Sequence, residues 1–171
     1  MAEKRHGPGV ITLLVYLIGA ASLAGGLSGW LHATGAMEWA RTLDAPNWAP
    51  SFALMNIIGL FIPIFIIIAL WIAQRSGRDG MRLLCTLLIA LLLAGMAMQI
   101  CVFFGSRDPA LGFLAAMAMW VYALFATGIV GRASSPAGVL LWVPFGWLTL
   151  LLVLGFELMR LNAPGTFAGG L

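Results

Sequence analysis

Apolar residues in this chain gather into five long runs separated by short polar breaks: about Val10–Leu31, Phe52–Ala73, Leu83–Phe104, Ala110–Val130 and Val139–Met159. Each run reaches the roughly 20 mostly apolar residues that a membrane-crossing helix needs. The breaks carry turn chemistry, as in Ala45-Pro46-Asn47-Trp48-Ala49-Pro50, Ser76-Gly77-Arg78-Asp79-Gly80, Gly105-Ser106-Arg107-Asp108-Pro109 and Ser134-Ser135-Pro136. Asp108 before Pro109 reads as an N-cap followed by proline at the first helical position. Backbone polar groups cannot stay unpaired in hydrocarbon, and each run is too long for a barrel strand. The pattern therefore predicts an all-α integral membrane protein, a single five-helix bundle over residues 1–171, with one long loop at 32–49.

Composition agrees. The 171 residues are 62% hydrophobic and 9% charged, against about 45–50% and about 25% in a soluble domain. A water-soluble fold of this size leaves too much surface wet to hide that excess. The first run follows Lys4 and Arg5, as a signal peptide would, but it is longer than a typical h-region, so a retained first helix is expected. With the N-terminus cytoplasmic, one side holds Lys4, Arg5, Arg75, Arg78, Arg82 and Arg132, and the other Arg41, Arg107 and Arg160. That bias favours N-in, C-out insertion, and a bacterial membrane is the expected location. The net charge of +3 reflects this surplus. No basic cluster is interleaved with stacking aromatics, so no nucleic-acid partner is expected.

Reactive chemistry is sparse. No HExxH, GxSxG or P-loop pattern appears, and no carboxylate pair stands at catalytic spacing. Glu157 is the one acidic residue set within an apolar run, and Arg160 follows at the spacing that pairs them on one helical face. Cys85 and Cys101 lie in one apolar run without a CxxC partner and read as buried thiols. His32, ending the first run, is a lone imidazole without a second ligand. Neither catalysis nor a metal is expected.

The aromatic inventory is large: seven Trp, ten Phe and two Tyr. Most tryptophans sit near run ends, as an interfacial belt requires. Trp120 falls mid-span, and with Phe103 and Phe104 it lines either an apolar pocket or a packed bundle interior; composition leaves both open. Small residues stripe the first run, and Gly25 to Gly29 is a GxxxG spacing that serves either packing within the chain or dimerisation.

Particular stretches carry a resemblance. Leu43-Asp44-Ala45-Pro46-Asn47-Trp48-Ala49-Pro50 leads into the second span, and Val102-Phe103-Phe104-Gly105 closes the third. Trp120 stands in the fourth, Ala137-Gly138-Val139-Leu140 opens the fifth, and Trp147 with Gly155-Phe156-Glu157-Leu158-Met159-Arg160-Leu161-Asn162 closes it. In order and spacing these resemble the tryptophan-rich sensory protein family, also called the translocator protein or peripheral-type benzodiazepine receptor family. The likeness is to a divergent member. Pro50-Ser51 stands for a usual Pro-Pro pair, and Met96, Gln99 and Gly155 stand where polar or tryptophan pocket residues are usual.

The resemblance implies a bundle, commonly a homodimer, that binds porphyrin, haem or another tetrapyrrole, or a sterol, beneath the first loop. It also implies a link to tetrapyrrole and pigment metabolism. Carried over by position, Trp48, Phe103, Phe104, Trp120 and Trp147 would face the ligand, with Trp39 and Phe52 beside them. The second expectation is a non-catalytic accessory subunit packed against a larger membrane complex, such as a pigment–protein complex.

Overall fold

The computed structural model describes residues 8–76 and 79–162. Six helices follow in order: α1 (Val10–Ala33), α2 (Ala36–Arg41), α3 (Phe52–Ser76), α4 (Asp79–Ser106), α5 (Pro109–Ala133) and α6 (Ser135–Asn162). Five of them are long and apolar enough to cross a membrane, and at about 1.5 Å of rise per residue each exceeds the roughly 30 Å hydrocarbon core. The predicted runs all appear, each extended by a few residues. The long loop differs from expectation, because α2 forms a short helix within it. Of the residues behind the orientation argument, Lys4, Arg5 and Arg78 lie outside the described residues.

Local chemistry sets the boundaries. Asp108 caps α5, its carboxylate accepting from Ala110 N at 2.8 Å, with Pro109 as the first helical residue. Between α1 and α2 the chain reverses at Gly35, whose φ of 65° is a left-handed conformation open to glycine without a Cβ penalty.

Helices α3, α4, α5 and α6 form a closed ring, each packed on the next and α6 returning to α3. Helix α1 lies outside the ring against α3, with α2 beside it. It is tied at one end by Trp71 Nε1 donating to Gly9 O at 3.1 Å and by Tyr16 pairing with Gln74 at 3.3 Å.

The packed core occupies only one end of the ring. It takes Ile62, Ile66 and Leu70 from α3, Cys85, Ile89 and Leu92 from α4, Val130 from α5, and Leu141 and Leu148 from α6. These positions cluster toward the C-terminal half of α3 and α5 and the N-terminal half of α4 and α6. Arg75, Arg82 and Arg132 share that end. The opposite end of the same helices is hollow.

Candidate functional site: a capped apolar chamber

At the hollow end a chamber of about 330 Å³ opens between α3, α4, α5 and α6. Phe52 and Met55 come from the start of α3, Gln99, Ile100, Phe103 and Phe104 from the end of α4, Gly112 and Ala116 from α5, and Leu151, Leu154, Gly155 and Leu158 from α6. Ala40, Arg41, Leu43, Ala45, Ala49 and Pro50 roof it from the 32–51 segment. The volume sits at the lower end of ligand sites, about 300–1,000 Å³. Small residues make the space: a Cβ at Gly112 would lie 2.2 Å from Phe103 Cδ2, so only glycine lets the edge of that ring come so close to α5.

The cap is held on three sides. Ala36 and Ala40 bury the inner face of α2. Trp39 sets its ring 5.4 Å from Phe103, tilted by 58°, and Phe103 meets Phe104 edge-on at 4.9 Å. Asn162, the last residue of α6, clasps the backbone of Asp44: its Oδ1 accepts from Asp44 N and its Nδ2 donates to Asp44 O, both at 2.9 Å. On the far side Arg107 Nη2 donates to Thr34 O at 2.8 Å. Arg107 has φ 53°, a left-handed conformation uncommon for a residue with a Cβ. These few bonds at exposed positions hold a segment that buries little, which is the kind of element that opens locally.

Of the seven residues expected at the ligand, Phe52, Phe103 and Phe104 line the chamber, and Trp39 backs it through Phe103. Trp48 stands in the Pro46–Ala49 turn, is 49% exposed and is not in the lining. Trp120 and Trp147 are also outside the lining and pack against the core. Trp120 Nε1 donates to Thr149 Oγ1 at 2.9 Å, and its ring lies 5.4 Å from Phe145. The indole N–H is thus satisfied by α6, and Trp120 lies outside this chamber's lining.

Sequence reasoning did not select Arg41, Gly112, Ala116 or the α6 leucines. Gln99 and Gly155, read as departures from the family pattern, are both chamber walls. Glycine at 112 followed by alanine at 116 was the available signal, a small-residue i, i+4 pair early in the fourth span. His32 is exposed in the last turn of α1, and no group of three metal-ligating side chains converges among the described residues. Glu157 and Arg160 form the expected pair at 2.6 Å, partly exposed at the mouth end of α6.

In polarity the lining is almost wholly aliphatic and aromatic, with Arg41 and Gln99 its only side chains able to donate a hydrogen bond. Such a site binds by shape and apolar contact and orients a ligand through one or two polar groups.

Compared with known proteins, the chain matches the TspO/MBR family model over residues 12–161. No curated protein matches it.

Proposed function

The chain belongs to the TspO/MBR family, and on that premise we propose that it binds a flat, hydrophobic, tetrapyrrole-like molecule, a porphyrin or haem, in the capped chamber. It is an integral multi-pass membrane protein with a ligand-binding or sensory role. The observation that carries the ligand class is the wall of Phe52, Phe103 and Phe104, backed by Trp39, around an opening roofed by Arg41. Aromatic faces favour offset or edge contacts with a conjugated ring. Arg41 supplies a bidentate donor for a carboxylate at the rim. A sterol-like ligand fits the apolar walls but leaves Arg41 without an anionic partner.

The chemistry proposed is binding and release, with no covalent step by side chains and no obligatory cofactor. N-in insertion in a bacterial membrane and coupling of occupancy to tetrapyrrole or pigment metabolism are part of the same proposal.

The test is a tryptophan-quenching titration of the detergent-solubilised chain with protoporphyrin. Saturable quenching that weakens in Phe103→Ala and Arg41→Gln is expected. Quenching that stays linear, or that both substitutions leave unchanged, would overturn the reading.

Helix α1 supports association with another membrane chain as a second reading. Gly19, Gly25, Gly26 and Gly29 each have open space where a Cβ would stand, so the GxxxG spacing is not used within the chain. A homodimer and a place in a larger pigment–protein complex both use that face. Purification from native membranes separates them: an isolated dimer supports the first, stoichiometric co-migration with a large complex the second.

A further inference from the structure

The chamber is polar at two places, and they lie at opposite ends. Arg41 belongs to the roof. Gln99 belongs to the floor: it precedes Phe103 by one turn of α4, about 6 Å farther from the roof at 1.5 Å of rise per residue. Met55, Ala116 and Leu151 share the floor, each being the lining residue of its helix farthest from the mouth. Beyond them the bundle is solid, with Met96 and Met119 packed against the core and Leu148 fully buried.

Side-chain amides elsewhere in the described residues are either bonded or exposed. Gln74 pairs with Tyr16, Asn162 clasps the Asp44 backbone, and Asn47 and Asn56 are exposed. Gln99 is half-buried, lines the chamber and has no hydrogen-bond partner among the described residues. A primary amide presents a donor and an acceptor side by side. No charged side chain shares the floor, so an anion placed there would lack a counter-charge. A ligand that fills the floor also excludes water from the amide. An apolar edge then leaves donor and acceptor unpaired, whereas a hydroxyl or carbonyl on the ligand satisfies them.

We propose that Gln99 sets the specificity of the chamber, selecting a tetrapyrrole-like ligand with carboxylates on one edge, at Arg41, and a neutral hydroxyl or carbonyl on the opposite edge, at Gln99. This rests on tetrapyrrole binding in the chamber and adds the ligand's orientation and the chemistry of its buried edge. A porphyrin whose far edge carries only vinyl or ethyl groups binds with Gln99 unpaired, and so binds less well than its polar counterpart.

Mesoporphyrin and haematoporphyrin test this as a matched pair. Both carry propionates on one edge; on the opposite edge the first has ethyl groups and the second 1-hydroxyethyl groups, so they differ by hydroxyls alone. Each is titrated by tryptophan quenching into the full detergent-solubilised chain, and the readout is the ratio of the two affinities. Comparing that ratio between parent and variant cancels the ligands' own difference in hydration. Gln99→Met keeps an unbranched side chain of similar length and removes the amide. It is expected to shift the ratio towards mesoporphyrin roughly two- to tenfold, the net worth of one hydrogen bond. Arg41→Gln is expected to weaken both porphyrins alike and leave the ratio as it was. If Gln99→Met fails to fold, Gln99→Leu takes its place. Saturable binding of both porphyrins with a ratio that the Gln99 variant does not move would overturn the specificity role while leaving the chamber's ligand class standing. A ratio moved by Arg41→Gln and not by Gln99→Met would overturn it as well, since the hydroxyls would then lie at the roof. No saturable binding of either porphyrin would remove the ligand class itself, and the role of Gln99 with it.

Discussion

Gly112→Ala adds one methyl group at the point where α5 supports the chamber wall. The new Cβ would lie 2.2 Å from Phe103 Cδ2, 3.1 Å from Cε2 and 3.2 Å from Cγ. Carbon contacts settle at about 3.5–4.0 Å, so the ring must retreat by at least about 1.3 Å. Trp39 of the cap at 5.4 Å and Phe104 at 4.9 Å stand beside the ring, leaving the chamber as the direction of retreat. Overpacking of this kind costs about 1–3 kcal/mol, and replacing a helical glycine by alanine returns up to about 1 kcal/mol. Folding stability therefore falls by about 0–3 kcal/mol.

Binding falls further. A methylene-sized misfit in an apolar pocket is worth about 1–3 kcal/mol, or roughly 10–200-fold in affinity. The assay is protoporphyrin quenching of tryptophan fluorescence, run beside a denaturation curve in the same detergent. Because Phe103 transmits the effect, Gly112→Ala combined with Phe103→Leu is expected to recover most of the lost affinity, a coupling of about 1 kcal/mol or more. A folded Gly112→Ala that binds protoporphyrin like the parent would refute the assignment of Phe103 as a ligand wall.

Two further predictions concern the cap and the closed end. Asn162→Ala removes both bonds to the Asp44 backbone, each worth about 0.5–1.5 kcal/mol, so ligand association and dissociation should both accelerate, roughly 5–30-fold for 1–2 kcal/mol. Affinity should change little, and stopped-flow traces with unchanged rates would show that the clasp does not limit opening. Gly138→Ala sets a methyl against the Gly131 backbone, which no rotamer change relieves, and should destabilise by about 1–3 kcal/mol. Gly146→Ala on the same helix meets open space and should be neutral or stabilising by up to about 1 kcal/mol. Denaturation midpoints in the opposite order would contradict the backbone contact.

What could be read before the fold differs between the bundle and its site. The span count, the Asp108–Pro109 boundary and the Glu157–Arg160 pair depend on residues adjacent or one turn apart, so they are legible in order along the chain. Phe103 and Phe104 carried their signal through the resemblance, and both line the chamber. For Trp120, mid-span position does not say which way a helix faces. Its indole turned out to be bonded to Thr149, 29 residues away.

The amino-acid sequence alone determined that this protein lies in a membrane as five helices, because unbroken apolar length is a local property that hydrocarbon reads without reference to any other segment. Tertiary structure decided that one end is solid and the other hollow. The chamber exists because Gly112, Gln99, Gly155 and Arg41, drawn from four separate segments, meet at one level of the ring. The clasp of Asn162 on Asp44 joins residues 118 apart. Which apolar faces meet depends on helix rotation and on the closeness that single glycines permit, and a nearly uniform apolar helix does not encode its own rotation.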